Sequence, residues 1–176
     1  MERMDGMALA FQPVTSGEEI EITARLADEI WREHYIRIIT AEQIDYMLDK
    51  FQSVRAIADQ ITNQGYEYYL MLVDGVHAGY LAIKTEDAKL FLSKFYLLKS
   101  YRGQGYGSQA IRFLTDLCRE RKLHAIWLTV NRHNTSSIAV YERNGFRIVR
   151  TQVADIGGGY VMDDYVMEKE IPPAEA

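Results

Sequence analysis

An apolar run that leads directly into a basic, glycine-dense hexapeptide is the feature that most restricts how this chain can fold. Residues 95–109 read FYLLKSYRGQGYGSQ, with glycine at positions 103, 105 and 107. The apolar residues before the hexapeptide are typical of a β-strand, and residues 105–121 carry apolar side chains at helical spacing. The pattern therefore predicts a strand, a glycine turn and a helix in immediate succession.

This order of elements favours a site for a phosphate group. The first N–H groups of a helix have no acceptors within the helix, and that end of the helix carries a partial positive charge. Glycine lacks the Cβ atom that would keep a phosphate away from the main-chain N–H groups, and Arg102 adds a charged donor. The hexapeptide RGQGYG therefore predicts a cradle for a phosphate or a pyrophosphate.

Two better-known phosphate motifs do not fit this hexapeptide. The dinucleotide fingerprint G-x-G-x-x-G needs a glycine at position 108, which is serine, and the P-loop needs a lysine after its last glycine, whereas Ser108 follows Gly107. A nucleotide-binding domain of either kind is therefore disfavoured. A flexible turn whose glycines serve no ligand is the alternative interpretation at this point.

The first 65 residues predict one strand and three helices. Ser16 and Glu19 form a capping box, which opens the first helix, and Thr40 followed by Gln43 opens the second. The predicted bounds are residues 8–14 for the strand, 16 to about 35 for the first helix, from 40 for the second helix and 53–64 for the third.

From residue 66 the pattern predicts mostly strands. Asp74-Gly75 is a hairpin signal between two apolar runs, so the first strands form an antiparallel meander. A later strand–helix–strand segment implies a parallel crossover. The predicted strands are 66–73, 76–84, 89–98, 124–130, 146–154 and 160–170, with helices at 105–121 and 135–144. The fold class is α/β, with a mixed, mostly antiparallel sheet, a central parallel strand pair and flanking helices, in a single domain over residues 1–176.

Composition limits the classes of partner. A formal net charge of −5 at pH 7 argues against nucleic acid. No segment approaches the roughly 20 apolar residues of a membrane span, and the N-terminus MERMDGMALAFQP has no apolar stretch typical of a signal peptide. The single cysteine, Cys118, is typical of a reducing compartment. We therefore expect a cytoplasmic protein with no membrane or nucleic-acid partner.

A second stretch makes the glycine turn much more specific. Residues 128–146 read LTVNRHNTSSIAVYERNGF, which is an apolar strand, then Asn134, then a short helix that carries Tyr141. RGQGYG at the start of a helix, followed by a strand and N-x-x-S/A-x-x-x-Y-E-x-x-G-F, resembles the GNAT superfamily of acyl-CoA-dependent N-acyltransferases. The resemblance covers roughly residues 66–170, with both motifs in the family's order and spacing. Within the family, the chain is similar to bacterial polyamine acetyltransferases.

The resemblance implies acetyl-CoA as the co-substrate and a fold in which the parallel strand pair splays apart, with the coenzyme in the wedge. The strand that ends at Leu97 and Leu98 would pair through its backbone with the pantetheine arm, and the Leu97 N–H would face the thioester carbonyl. The pyrophosphate would be bound, mainly through main-chain N–H groups, by Arg102, Gly103, Gln104, Gly105, Tyr106 and Gly107.

The second motif supplies the remaining site residues that the resemblance implies. Asn134 matches the asparagine that contacts the pantetheine, and Ser137 belongs to the same coenzyme-binding motif. Tyr141 matches the tyrosine that protonates the leaving thiolate. Residues 1–65 correspond to the family's variable acceptor-side region. Members of the family commonly form homodimers, so the resemblance also implies a homodimer. The reaction requires no metal. Asn134 as a plain helix cap and Tyr141 as a plain core residue are the structural alternatives.

The sequence does not identify a general base for the amine. A primary amine with a pKa of about 10.4 is neutral in only about 1 molecule in 2,500 at pH 7, so exposing its lone pair costs about 4.6 kcal/mol. Some family members carry a glutamate on the strand before the glycine motif, but the corresponding position here lies near Phe91 and has no carboxylate neighbours. The remaining candidates are Glu33, His34, Glu67, Tyr69, Ser93, Tyr96 and a bound water.

These observations predict an acetyl-CoA-dependent N-acetyltransferase that acts by direct transfer in a ternary complex. Cys118 lies in the middle of the helix after the cradle, so an acyl-enzyme is not expected. The alternative is a non-catalytic module that binds acyl-CoA as a ligand or regulator. Polyamines, aminoglycosides, amino acids, peptide N-termini and lysine side chains are all open as acceptors.

Overall fold

The structure, a computed structural model, describes residues 9–37 and 39–173. Its elements follow the predicted order, and residue 8 of the predicted first strand lies outside the described residues. The elements are β1 (Leu9–Pro13), α1 (Gly17–Tyr35), α2 (Ala41–Phe51), α3 (Val54–Asn63), β2 (Glu67–Val73), β3 (Val76–Glu86), β4 (Lys89–Leu97), a 3₁₀ turn (Lys99–Tyr101), α4 (Tyr106–Arg121), β5 (Ala125–Asn131), α5 (Thr135–Arg143), β6 (Arg147–Gly157) and β7 (Tyr160–Glu170).

The strands form a mixed sheet in the order β1-β2-β3-β4-β5-β7-β6. Neighbours β1–β2, β2–β3, β5–β7 and β7–β6 run antiparallel, whereas β4 and β5 run parallel. The parallel ladder pairs Leu90 with Ile126 and Phe91 with Trp127, at the start of both strands. The predicted α/β class and its parallel pair are therefore confirmed.

The chain divides into two compact units. Unit 1 comprises the residues up to Ile83 together with Lys94–Tyr106, and unit 2 comprises Lys84–Ser93 together with the residues from Gly107 onward. The first half of β4 thus belongs to unit 2 and its second half to unit 1. A single domain over 1–176, with an acceptor-side region at 1–65 and a coenzyme-binding core at 66–170, stays a prediction.

The predicted helix starts of unit 1 are confirmed by their caps. The Ser16 side chain accepts a hydrogen bond from the Glu19 N–H at 3.2 Å, and Glu19 Oε1 accepts from the Ser16 N–H at 3.0 Å. The N–H groups of Thr15 and Ser16 lower the pKa of the Glu19 carboxyl, since they stabilise its charged form. Thr40 and Ser53 cap α2 and α3 in the same way, through one bond each. The three helices therefore begin where local chemistry alone places them.

A buried polar chain joins the helices of unit 1 to its strands. Trp31 Nε1 donates to the Tyr80 hydroxyl at 3.0 Å, and that hydroxyl donates to Gln52 Oε1 at 2.6 Å. Gln52 Nε2 in turn donates to the Tyr68 hydroxyl at 3.0 Å. Burial raises the pKa of both tyrosines, so both hydroxyls keep their protons at neutral pH. Each polar group has a partner, which offsets the cost of burying it and makes the packing of the α2–α3 junction specific.

Two hairpins turn later than the sequence predicts. β3 continues to Glu86, and its turn is made by Asp87 and Ala88, with φ of 51° and 63°. β6 continues to Gly157 instead of ending at Ala154. In both cases backbone pairing extends the strands into polar residues that the sequence pattern assigns to the turn.

Candidate active site

The end of β4, in unit 1, is held by hydrogen bonds of its backbone. The Leu98 N–H donates to the Ala78 carbonyl at 2.8 Å, and the Leu98 carbonyl accepts from the Tyr101 N–H at 2.9 Å. The Leu97 side chain packs with Val73, Ala78 and Tyr106. Both main-chain groups of Leu98 therefore have a partner within the protein, and the pairing of Leu97 and Leu98 with the pantetheine stays a prediction.

The glycine turn follows directly. The Arg102 N–H donates to the Lys99 carbonyl at 3.2 Å, which is the last main-chain bond before the turn. Gly103 and Gly105 have φ of +74° and +87°, a backbone conformation that side chains rarely adopt, and a Cβ atom at either position would meet nothing within 4 Å. A side chain at either position would therefore enter open space.

The main-chain N–H groups of this turn are the candidate donors to an anion. In the part of the chain that the structure describes, no group accepts a hydrogen bond from the N–H of residues 103–107. Tyr106 and Gly107 are the first two residues of α4, so their N–H groups also lie at the positive end of that helix. Gly107 is also the first residue of this part of unit 2. Within unit 1, the N–H groups of residues 103–106 are thus four consecutive candidate donors to an anion.

The Arg102 side chain turns back toward unit 1. Its Nε donates to the Leu97 carbonyl at 3.0 Å, and its Nη2 lies 3.4 Å from Glu33 Oε1. The guanidinium therefore already has two partners within the protein. Contact between Arg102 and a pyrophosphate stays a prediction.

In unit 2, Asn134 is the N-cap of α5. Its Oδ1 accepts from the Ser137 N–H at 3.3 Å, its own N–H donates to the Asn131 carbonyl at 2.9 Å, and the residue is only 5% exposed. The predicted cap is confirmed. The coenzyme contacts of Asn134 and Ser137 stay predictions.

Tyr141 lies on α5 and is 8% exposed. Its ring centroid is 5.5 Å from that of Phe146, with the ring planes at 59°, and its carbonyl accepts from the Phe146 N–H at 3.0 Å. Packing therefore holds the tyrosine in one place, as a proton donor requires. Its role as an acid stays a prediction.

Two of the candidates for the base lie near the end of β4. The Tyr96 hydroxyl is bonded to the Tyr35 hydroxyl at 3.0 Å, and Glu33 Oε1 accepts from the Lys99 N–H at 3.1 Å. His34 packs edge-on against Tyr35, with ring centroids 4.9 Å apart. Glu67 and Tyr69 lie half-buried on β2, and Ser93 lies half-buried on β4. The contact of Glu33 with Lys99 and Arg102 has no local sequence signal, since the residues are 66 and 69 positions apart.

Asp164 differs from its expected exposure. The sequence allows Asp163 and Asp164 to attract a cationic acceptor, to lie in a dimer contact or to lie on a solvated face, and it favours the solvated face. Asp163 is half-buried and pairs with Arg132 Nε at 3.0 Å, whereas Asp164 is buried and lies opposite Asn131 in the β5–β7 pairing. Asp164 lies on the same face of β7 as the buried Val166, two residues later, because side chains alternate between the two faces of a strand.

A sequence model of the family described as the acetyltransferase (GNAT) family matches residues 24–146. The chain belongs to the GNAT family. It is therefore an acetyl-CoA-dependent N-acetyltransferase, as the two motifs predict.

Relatives of this GNAT protein agree with that assignment. An uncharacterised N-acetyltransferase from Lactobacillus delbrueckii subsp. lactis is 27% identical over 138 residues, which span 74% of this chain and 79% of the relative. A spermidine N(1)-acetyltransferase from Thermoplasma acidophilum is 22% identical over 157 residues, which span 87% of this chain and 92% of the relative.

A solved structure shows the same fold. The PaiA N-acetyltransferase from Thermoplasma acidophilum, crystallised in complex with coenzyme A, superimposes with a TM-score of 0.76 at 21% identity. The match covers 93% of this chain and 99% of the other. The GNAT fold predicted from the two motifs is therefore confirmed.

Cys118 is unsuited to carry the acetyl group. It is fully buried on α4, and burial raises the pKa of its thiol to about 11. At pH 7 only about 1 thiol in 10,000 is then a thiolate, which is the nucleophilic form. Within residues 9–37 and 39–173, moreover, no three His, Cys, Asp or Glu side chains form a cluster that could hold a metal ion, and no helix is long and apolar enough to cross a membrane.

Proposed function

We propose that this GNAT enzyme transfers the acetyl group directly from acetyl-CoA to a primary amine of a small molecule or peptide. One observation carries the proposal: at the turn into α4, residues 103–106 present four successive N–H groups from which no group in the described part of the chain accepts a hydrogen bond. A pyrophosphate satisfies such donors, because its oxygens accept several hydrogen bonds and its charge is stabilised by the helix terminus.

The main chain of Leu97 suits the thioester. Successive residues of a strand direct their N–H groups to opposite edges, and the Leu98 N–H points to Ala78 of β3. The Leu97 N–H therefore points away from β3. In that direction it would donate to the thioester carbonyl and stabilise the negative charge that develops on this oxygen during attack.

Unit 2 supplies the groups for the pantetheine and the leaving thiol. Asn134 and Ser137 at the start of α5 would bind the pantetheine, and the Tyr141 hydroxyl would protonate the thiolate as it leaves. The thiol of coenzyme A has an ordinary pKa near 8.5, so this proton transfer contributes less than stabilisation of the amine would.

The acceptor is proposed to be a cationic amine. The net charge of −5 favours attraction of a cation, and a spermidine N(1)-acetyltransferase stands among the relatives. Of the candidates for the base, Glu33 and Tyr96 lie near the end of β4, with a bound water as an equal alternative.

Release of coenzyme A thiol is the direct test. The full-length protein is incubated with acetyl-CoA and, in turn, with spermidine, an aminoglycoside, a free amino acid, a peptide with a free N-terminus and a lysine peptide. We expect thiol release above the hydrolysis background with at least one amine, and most with a polyamine. Tight coenzyme A binding without turnover for any amine would instead identify a non-catalytic acyl-CoA-binding module.

Gly105→Val is expected to weaken coenzyme A binding by about 10-fold or more, because the valine Cβ occupies the open space beside the donors and its φ of +87° is strained. Gly159→Val is the matched control, since Gly159 has a φ of +81° and also meets nothing within 4 Å, but lies in the β6–β7 hairpin. The valine strains the backbone in both variants. Only Gly105→Val should change the Kd of coenzyme A measured by calorimetry. Equal Kd values for the two variants would contradict a pyrophosphate cradle at residues 103–107.

A further inference from the structure

The turn between β4 and α4 has two parts that differ in their main-chain hydrogen bonds. From Leu97 to Arg102 the main chain is tied down by hydrogen bonds: Leu98 N–H to Ala78, Tyr101 N–H to Leu98, and Arg102 N–H to Lys99. From Gly103 onward no N–H group in the described chain has an acceptor until α4 begins to bond internally. The position of the free donors therefore depends on how firmly residues 97–102 are held.

Glu33, which lies on α1, binds residues 99 and 102 of this turn through its carboxylate. Its Oε1 accepts from the Lys99 N–H at 3.1 Å and lies 3.4 Å from Arg102 Nη2. Lys99 is the first residue of the 3₁₀ turn, and the preceding residue, Leu98, provides no side-chain cap. One carboxylate oxygen from α1 thus supplies the missing cap and a partner for the guanidinium.

Arg102 extends the same contact to the end of β4. Its Nε donates to the Leu97 carbonyl at 3.0 Å while its Nη2 faces Glu33. The planar guanidinium therefore links Leu97, whose N–H would face the thioester, to α1 of the acceptor-side region. Both side chains are about one third exposed, at 33% for Glu33 and 34% for Arg102, so their pairing adds little to global stability.

We propose that Glu33 is a positioning residue for coenzyme A, acting through Arg102 and the Lys99 N–H on the turn that presents the donors of residues 103–107. The proposal rests on the proposed function of that turn. In this arrangement Arg102 remains bound to Leu97 and Glu33 when the coenzyme binds, and the pyrophosphate is bound by main-chain N–H groups. Pre-organisation of the turn lowers the entropic cost of binding.

If Arg102 binds the pyrophosphate instead, the expected change in the Kd of coenzyme A has the opposite sign. If Arg102 left Glu33 and paired with the pyrophosphate, Glu33 would compete with the coenzyme for the guanidinium. Removing the carboxylate would then tighten coenzyme A binding, because it frees Arg102 and also removes a negative charge. The sign of the change in Kd therefore separates the two arrangements.

The experiment measures the Kd of coenzyme A by calorimetry at one ionic strength, using the full-length protein. We expect Glu33→Ala to raise the Kd by about 5- to 20-fold, as loss of charge-assisted hydrogen bonds predicts. Glu29→Ala is the matched control, because Glu29 lies one turn earlier on α1, is exposed, and forms no hydrogen bond or ion pair with a described residue. It should change the Kd by less than twofold.

Three further measurements distinguish positioning from a general structural role. Glu33→Gln should restore part of the affinity, since its amide oxygen still accepts from Lys99. Glu33→Ala should raise the KM for acetyl-CoA at a nearly unchanged melting temperature. The double variant Glu33→Ala/Arg102→Ala should lose less affinity than the two single losses added together, because part of the action of Glu33 passes through Arg102.

A lower Kd for Glu33→Ala, or a Kd equal to that of Glu29→Ala, would overturn the positioning role. Failure of the underlying cradle has a different signature: Gly105→Val would bind coenzyme A as tightly as Gly159→Val, whatever the Glu33 variants do.

Discussion

Replacing Tyr141 by phenylalanine is expected to lower kcat by about 100-fold and to leave the Kd of coenzyme A nearly unchanged. General acid catalysis contributes about 10²- to 10⁴-fold, and the modest pKa of the thiol places this enzyme at the lower end of that range. A 100-fold loss corresponds to about 2.7 kcal/mol of transition-state stabilisation. The ring still packs against Phe146 in the variant, so α5 keeps its place.

Tyr165→Phe is the matched control for this experiment. Tyr165 is a half-buried tyrosine of β7 in unit 2, and its ring face lies 5.4 Å from the Arg132 guanidinium, a contact that survives loss of the hydroxyl. Steady-state assays should give it a kcat within twofold of the unaltered enzyme. Full activity of Tyr141→Phe would remove Tyr141 from the mechanism and assign protonation of the thiolate to water.

The sequence predicts helix starts and turns well where local chemistry decides them. Ser16, Thr40, Ser53 and Asn134 cap four helices, and each does so through an oxygen that meets an N–H three residues later. The Asp74-Gly75 hairpin follows from positive φ at both residues, 50° and 80°. Such features depend only on a few neighbouring residues.

Features that depend on distant residues could not be predicted. The insertion of β7 between β5 and β6 depends on pairing of strands that no local pattern specifies. The same holds for the site: the glycine turn and Asn134 have motifs, whereas the contact of Glu33 with Arg102 arises only when α1 packs beside the end of β4. Sequence reasoning therefore names Glu33 as a candidate base but misses its contacts with Lys99 and Arg102.

Gly79→Ala is expected to destabilise the protein by about 2–3 kcal/mol, more than most single substitutions. A Cβ atom at Gly79 would lie 2.2 Å from the Tyr96 carbonyl oxygen and 3.0 Å from the Leu97 Cα, and both are backbone atoms that cannot rotate away. Gly79 lies opposite Met71, where the β2–β3 register shifts, so β3 approaches β4 at an irregularity of the sheet. Urea unfolding measures the loss as a lower midpoint with an unchanged slope.

Gly17→Ala is the control for the loss of a glycine. Gly17 is the first residue of α1, and a Cβ there meets nothing within 4 Å, so this variant should be as stable as the original or slightly more so. Gly79→Ala has a second consequence, because the displaced backbone includes Leu97, whose N–H is proposed to face the thioester. The KM for acetyl-CoA should therefore rise in folded Gly79→Ala protein but not in Gly17→Ala, and an unchanged KM would mean that the thioester is bound elsewhere than at the end of β4.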